Sequence, residues 1–320
     1  MDKLFIIGKT EAAKSLKYYE DNYDIIWIPC PEKLTYIDTQ KEYVCRFCKK
    51  DKTQTTFRKK AHAIPEFLGN KTLRTKNECD QCNEKFGKLL EDNLAKFLLP
   101  YNSLTQVCGK NGVPTYIDRT NNIRIESVNG SAEISNFNSP FIKLDEQNKS
   151  LTIQMQTQKI KPIKVYKAFL KMALSIMPED ELINFKDLIN YIQEEQDRAS
   201  KGLSKIIVTF TPGSKPYDNY MNIILRKKNN QKNLPYMYYI FSYGNFIFQT
   251  MIPSIVQDKY LFETRQQFTI PPFPSFYDFS FNNKVEEIVP SEYKIVDLSS
   301  KEPISSPVYF SMHYETIKKY

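Results

Sequence analysis

Four of the six cysteines in the 320-residue chain form two pairs with metal-ligand spacing. Cys45 and Cys48 make one Cys-x-x-Cys pair, and Cys79 and Cys82 make the other. Two such pairs can supply the four thiolates of a tetrahedral zinc ion. A disulfide does not suit a reducing cytoplasm, and a thioredoxin-like motif needs a single pair at a helix start within a βαβ unit. The spacing therefore predicts a closed structural zinc site that leaves no position for a substrate.

One of the two histidines lies between the cysteine pairs. His62 belongs to the segment AHAIP, whereas His313 has no motif around it. The unperturbed pKa of imidazole is near neutrality, so His62 is a candidate general base. The alternative is a histidine that only packs within a zinc-binding fold. The two cysteines outside the pairs, Cys30 and Cys108, are predicted to be buried thiols rather than ligands.

The order of these features resembles the HNH endonucleases of the ββα-metal type. A Cys-x-x-Cys pair is followed by AHAIP, by the glycine-containing turn FLGNK, and by a second pair that runs into an asparagine and a helix (CDQCNEKFGKLLEDNLAKFL). The resemblance covers roughly residues 42–99. It implies that His62 deprotonates the water that attacks phosphorus, and that Asn83 binds a catalytic Mg²⁺ or Mn²⁺ through its amide oxygen. The reaction would be cleavage of a phosphodiester bond in DNA.

The chain departs from this pattern directly before the histidine. Many relatives place a carboxylate there as a further metal ligand, whereas this chain has Ala61. Glu66 in the following turn is a candidate replacement. Further carboxylates stand on the predicted helix: Glu84, Glu91 and Asp92. The last two lie about 12 Å along the helix from Asn83, which makes it awkward for them to share an ion with it. Because Ala61 provides no carboxylate, a zinc module that binds nucleic acid without cutting it is the alternative function.

The positive charge of the chain is concentrated around the cysteine pairs. The net charge is +8, and residues 41–120 hold 16 Lys and Arg against 9 Asp and Glu. Such a local excess favours a polyanionic partner, although a solvated lysine-rich surface has the same composition. Arg58, Lys59 and Lys60 lead into the histidine segment and are candidate phosphate contacts.

The hydrophobic pattern predicts an α+β fold in which a small zinc-bound ββα-metal module joins a larger domain with mainly antiparallel sheet. Residues 1–40 read as strand, helix and strand, residues 41–110 as the zinc module, and residues 111–320 as an α+β recognition or regulatory domain. Hairpins are predicted at residues 142–155 and around the Gly-Asn dipeptide at 244–245. The aromatic run at 236–248 fits a strand-rich core better than a platform that stacks a base.

These patterns favour a metal-dependent DNA endonuclease of the HNH type, and the resemblance suggests a bacterial restriction or phage-defence effector. The alternatives are a non-catalytic zinc protein that binds nucleic acid, and a nuclease switched by a small molecule or protein partner at the C-terminal domain. The absence of a signal-peptide pattern and of a bilayer-length apolar stretch predicts a cytoplasmic protein without a membrane segment.

Overall fold

The structure is a computed structural model that describes residues 5–27, 31–37, 43–136, 138–198, 203–211, 217–228, 231–265, 268–276 and 288–314. Within these ranges the helices are α1 (Lys9–Asn22), α2 (Asp80–Phe86), α3 (Asp92–Leu104), α4 (Pro162–Ile176), α5 (Lys186–Gln193) and α6 (Lys259–Thr264). A π-helical turn, Gly87–Glu91, joins α2 to α3, and 3-10 turns cover Glu66–Leu68 and Glu181–Phe185. None of the described helices is long and apolar enough to cross a membrane.

The strands of the described residues fall into five sheets. They are β1 (Phe5–Ile7), β2 (Tyr23–Trp27), β3 (Thr35–Tyr36), β4 (Ala61–His62), β5 (Leu73–Thr75), β6 (Tyr116–Asp118), β7 (Ile123–Val128), β8 (Ser131–Ser135), β9 (Ile142–Asp145), β10 (Ser150–Gln156), β11 (Lys205–Phe210), β12 (Tyr217–Lys227), β13 (Met237–Gly244), β14 (Phe246–Ile252), β15 (Ser275–Phe276), β16 (Ile288–Val289), β17 (Ser291–Asp297) and β18 (Pro307–His313). The sheets are mainly antiparallel, which confirms the predicted α+β class.

The largest sheet combines strands from both ends of the chain. Its seven strands follow the order β1-β17-β11-β14-β13-β12-β2, and each neighbouring pair is antiparallel. The predicted strand, helix and strand near the N-terminus are present as β1, α1 and β2. The two strands occupy opposite edges of a sheet whose inner strands come from residues 205–297. This long-range pairing could not be seen in the local pattern.

The aromatic run at 236–248 is core, as the pattern favoured. It forms the hairpin of β13 and β14, in which Tyr243 pairs with Phe246 and Gly244 adopts a left-handed φ of 58°. Glycine accepts this conformation without the clash that a Cβ would make. Both strands are buried along their length because α1 packs on one face of the sheet and α4 on the other. Burial on both faces explains why the run is apolar at nearly every position.

Helix α4 connects the sheet with the cysteine region. It begins with Pro162, whose fixed φ suits the first helical turn, and all of its residues are buried. On one side the Phe169 ring stacks on Phe248 at a centroid distance of 5.4 Å. On another side lie the cysteine pairs and α2, and a single hydrophobic cluster runs from Ile37 to Phe310. The domain boundaries at residues 40 and 110 stay a prediction. The hydrophobic cluster includes residues on both sides of residue 110.

Candidate functional site

The four paired cysteines come together in one cluster. Cys45 and Cys48 lie in the loop after residue 43, Cys79 is the N-cap of α2, and Cys82 lies in its first turn. All four sulfur atoms lie within 4.8 Å of one another, and the Sγ atoms of Cys48 and Cys79 are 3.7 Å apart. Zinc–sulfur bonds of about 2.3 Å in a tetrahedron place the sulfurs about 3.8 Å apart. The donor set and its spacing therefore fit a structural zinc ion.

As thiolates, the four cysteines would need a cation between them. A hydrogen bond from Cys82 lowers the pKa of Cys45 to about 4, whereas burial raises the pKa of Cys48 to about 11. Sulfurs this close cannot all carry charge unless a positive ion lies between them. Zinc would supply that charge and hold all four as thiolates.

The first cysteine pair is anchored to α4 by one of the two residues between its ligands. Arg46 is 4% exposed, and its Nη1 donates hydrogen bonds to the carbonyl oxygens of Leu174 and Ser175, each at 2.6 Å. These carbonyls belong to the last turn of α4, which has no continuing helix to satisfy them. A third bond reaches Met177 at 3.2 Å. The zinc loop therefore has a fixed position relative to the helix behind it.

His62 lies on β4, where it pairs with Arg74 of β5, while Ala61 pairs with Thr75. Ala61 is 1% exposed and His62 is half-buried, as expected from the alternation of side chains along a strand. The imidazole faces a pocket of about 540 Å³ whose lining is Lys60, His62, Glu66, Lys71, Arg74 and Lys110. Four cations thus surround one histidine and one carboxylate. The arrangement suits an anionic group such as a phosphate.

The environment keeps the imidazole neutral. Burial lowers the pKa of His62 below its ordinary value of 6.5, and the positive charge of Arg74 lowers it further. Glu66 opposes this shift from the same pocket. A neutral imidazole has a nitrogen lone pair that can accept a proton at neutral pH, as a general base requires.

The turn between β4 and β5 is organised by Asn70, which sequence reasoning missed. Its buried Nδ2 donates to the carbonyls of Ile64 and Leu73 at 2.6 and 2.8 Å, and its Oδ1 accepts from the Leu73 amide at 2.8 Å. The Tyr220 hydroxyl of β12 also donates to that oxygen, at 2.9 Å. One side chain thus fixes the loop that carries Glu66 and joins it to the large sheet. An asparagine directly after a turn glycine was the available signal.

A buried ion cluster supports the His62 strand from behind. Lys171 of α4 is 1% exposed at its side chain, and its Nζ lies 3.2 Å from Glu78 Oε2 and 3.2 Å from Glu91 Oε1. The same Nζ donates to the carbonyl oxygen of His62 at 3.4 Å. Burial alone would lower the pKa of Lys171, but the two carboxylates outweigh it and raise that pKa. Helix α4 therefore holds the backbone at His62 through a charged group.

Of the remaining predicted site residues, some line the His62 pocket and others lie outside it. Lys60 and Glu66 line it with His62, and their parts in phosphate and metal binding stay predictions. Asn83 is outside that lining, half-buried on α2, and its part in metal binding stays a prediction. Asn83 is not the N-cap of this helix, because Cys79 occupies the N-cap and Asn83 is the fourth residue of the helix.

The other two predicted phosphate contacts meet carboxylates on α2. The backbone amides of Arg58 and Lys59 both donate to the Asp80 carboxylate. Lys59 Nζ also lies 3.0 Å from Glu84 Oε2. Both side chains are exposed but neither lines the His62 pocket, whose further cations are Lys71, Arg74 and Lys110.

Ligand atoms for a second metal ion are sparse. Across the described ranges, only the four cysteines bring three or more Cys, His, Asp or Glu ligand atoms within 4.8 Å of one another. Glu91 is held by Lys171, and Asp92 pairs with Lys96 at 2.6 Å. The prediction that Cys108 is buried is wrong, because it is exposed in the turn region after α3, and Cys30 lies outside the described residues.

Comparison with known proteins finds a match for this part of the chain. Residues 45–99 match the family model of HNH endonucleases, which confirms the resemblance predicted for residues 42–99. The match includes both cysteine pairs, His62 and the beginning of α3, but no part of the large sheet. No curated protein and no solved structure matches the chain.

Proposed function

We propose that the protein is a metal-dependent endonuclease that hydrolyses phosphodiester bonds of DNA at the His62 pocket. The observation that carries this proposal is a half-buried imidazole among four cations, within the segment that matches HNH endonucleases. The charges attract a phosphodiester, and the imidazole supplies a base beside it.

The residues of the pocket would have different roles in hydrolysis. Lys60, Lys71 and Lys110 are exposed and would contact the DNA backbone, whereas Arg74 is half-buried and would hold the phosphate beside His62. The neutral His62 would accept the proton of the attacking water. Its backbone is fixed by Lys171, so the imidazole meets the phosphate in a set position.

A catalytic Mg²⁺ or Mn²⁺ fits this donor set as an ion with few protein ligands. Magnesium commonly keeps several waters and binds one or two carboxylates together with substrate phosphates. Glu66 is the carboxylate in the pocket lining, and we propose Asn83 as a further oxygen ligand. When bound, the ion would stabilise the charge that develops on the leaving 3′ oxygen. With so few ligands we expect millimolar metal to be needed, and Mn²⁺ to be preferred.

The position before His62 gives a separate test of this metal site. Ala61 is enclosed, so a carboxylate placed there would be buried, and a divalent ion bound beside it would offset the cost of that burial. We expect Ala61→Asp to lower the melting temperature without divalent ions, and added Mn²⁺ to restore it and to lower the metal concentration needed for cleavage. No effect of Mn²⁺ on the melting temperature would place the ion elsewhere.

The main experiment compares plasmid cleavage by the parent protein and by His62→Ala in Mg²⁺ and in Mn²⁺. Loss of a general base is expected to slow cleavage by about 10²- to 10⁴-fold. The melting temperature and zinc content should not change, because Lys171 binds the backbone at residue 62 rather than the imidazole. Lys301→Met, which removes an exposed charge far along the chain, is the matched control. Equal cleavage by His62→Ala and the parent would refute the assignment.

A second candidate is a zinc module that binds nucleic acid without cutting it. It is favoured by the single carboxylate in the pocket lining. Salt-dependent DNA binding with no cleavage in either metal would support it over the nuclease. We retain restriction or phage defence in a bacterial cytoplasm as the proposed setting, which a phage-plating assay with the parent and His62→Ala would test.

A further inference from the structure

A second cleft lies where the seven-stranded sheet meets the three-stranded sheet of β9, β10 and β18. It has a volume of about 690 Å³, and no lining residue is shared with the His62 pocket. Its walls come from α3, from β11, β14 and β17 of the large sheet, and from β10 and β18. Pockets that enclose small molecules have volumes of about 300 to 1,000 Å³. The cleft is therefore large enough for one such molecule.

Aromatic rings form the floor of this cleft. Tyr101, Phe210 and Phe310 each pack against Phe246, with centroid distances of 4.9, 5.3 and 5.9 Å. Tyr309 stands at the rim and is 51% exposed, although it is a large aromatic side chain. Exposed rings next to a buried aromatic cluster can stack a planar ligand.

The cleft has one cation. Lys294 of β17 is half-buried, and its Nζ lies 6.0 Å from the centre of the Tyr101 ring. Within the part of the chain that the structure describes, no ion pair or hydrogen bond of Lys294 is seen, so its charge is available to a ligand. The hydroxyls of Thr152 and Ser311 lie 3.1 Å apart in the opposite wall and can accept or donate further hydrogen bonds.

A smaller chamber of about 160 Å³ extends the cleft along α3. It shares four lining residues with the main chamber, Tyr101, Lys294, Ser306 and Pro307. It adds Phe97, one turn earlier on the helix. Carboxylates stand in both chambers, Glu292 in the larger and Asp297 in the smaller. They would repel a chain of phosphates, so a ligand with one anionic group at Lys294 fits best.

We propose that this cleft binds a planar aromatic molecule with one anionic group, of the size of a nucleoside monophosphate. The ring would lie against Tyr309 and the aromatic floor, and the anion would pair with Lys294. Such a ligand would contact α3, the helix that follows the π-helical turn and the second cysteine pair. The cleft would therefore be the place where a small-molecule trigger meets the C-terminal part of the chain.

Calorimetric titration of the full chain tests the proposal. The four nucleoside monophosphates are the probes, with adenosine, ribose 5-phosphate, ATP and a single-stranded oligonucleotide as comparisons. The protein carries His62→Ala, keeps its zinc, and receives no other divalent metal. Binding at the cleft can then be observed whether or not the proposed nuclease activity exists.

We expect at least one monophosphate to bind, with adenosine and ribose 5-phosphate weaker and ATP no tighter than AMP. Lys294→Met should weaken binding by about tenfold or more, because it removes the charged partner. Tyr309→Ala should weaken it by about fivefold or more through lost stacking. Lys301→Met, which removes a charge outside the cleft, should leave binding unchanged.

Three results would overturn the proposal. The first is no binding of any monophosphate at millimolar concentration. The second is binding that Lys294→Met and Tyr309→Ala leave unchanged while both variants melt like the parent. The third is Lys294-dependent binding of the oligonucleotide alone, which would make the cleft part of a DNA-binding surface instead.

Discussion

The cysteine cluster and the His62 pocket lie in the same short segment, yet they are opposite kinds of site. The cluster has four identical ligands within 4.8 Å of one another, and three of them are buried. The pocket is more open, and its lining has one imidazole, one carboxylate and four cations. A site whose ligands are complete can hold a metal for stability, whereas a site with few ligands leaves room for substrate. The difference separates what holds the fold from what would do the chemistry.

The sharpest test of this separation is Cys79→Ser. Structural zinc contributes roughly 10 kcal/mol or more to folding, and Cys79 is also the N-cap of α2. We expect zinc to be lost and residues 41–100 to unfold, with activity lost as a consequence, as seen in metal content and thermal melting. Cys108→Ser, which removes an exposed thiol, is the control. A Cys79→Ser protein with full zinc and parental melting would contradict the cluster assignment.

The second test removes the group that joins the pocket to α4. Lys171→Met would leave Glu78 and Glu91 without their shared cation, and breaking a buried pair costs about 3 to 5 kcal/mol. Urea unfolding should show this loss at unchanged zinc content. Adding Glu78→Gln should recover part of it, because one buried charge is then removed. The control is Lys186→Met, which changes an exposed lysine and should have little effect on stability. Loss of zinc from Lys171→Met would mean that the cysteine cluster and the His62 pocket are not separable.

The local signals were sufficient for the cysteine cluster and only partly sufficient for the pocket. Two cysteines separated by two residues can bind the same ion through one short loop, so the sequence alone predicts the cluster. Arg74 and Lys110 reach His62 from β5 and from the region after α3, and Lys171 reaches it from α4. These contacts depend on tertiary packing, which has no periodicity to detect. The position of β1 and β2 at the sheet edges also depends on tertiary packing, so it could not be predicted from the sequence.

The third test uses pH to distinguish the imidazole from the thiolates. Burial lowers the pKa of His62 below 6.5, so the base is neutral above that pH and becomes protonated as pH falls through the lowered pKa. Cleavage should be independent of this group above pH 6.5 and should fall about tenfold per unit below the lowered pKa. Zinc content, measured in parallel, should stay constant over the same acid limb. An imidazole limb above pH 6.5 would contradict the buried environment.

The smallest expected effect concerns the exposed cations of the pocket. Each lysine that contacts a phosphate contributes about one unit to the slope of log affinity against log salt. Lys71→Met and Lys110→Met should each reduce that slope by about one, with DNA affinity measured by anisotropy at several salt concentrations. Lys301→Met should leave the slope unchanged. A change as large for Lys301→Met would mean that the charge effect is not localised at the pocket.

The edge position of β1 and β2 has a consequence for the order in which parts of the chain can fold during synthesis. A ribosome releases both edge strands and the zinc segment well before the inner strands at 205–297, so the first two strands must wait for their partners. Contacts of such long sequence separation form slowly. The cysteine cluster, whose ligands span residues 45–82, can close earlier. A version that lacks residues 5–27 would leave β12 and β17 as open edges, and open strands of that kind promote aggregation.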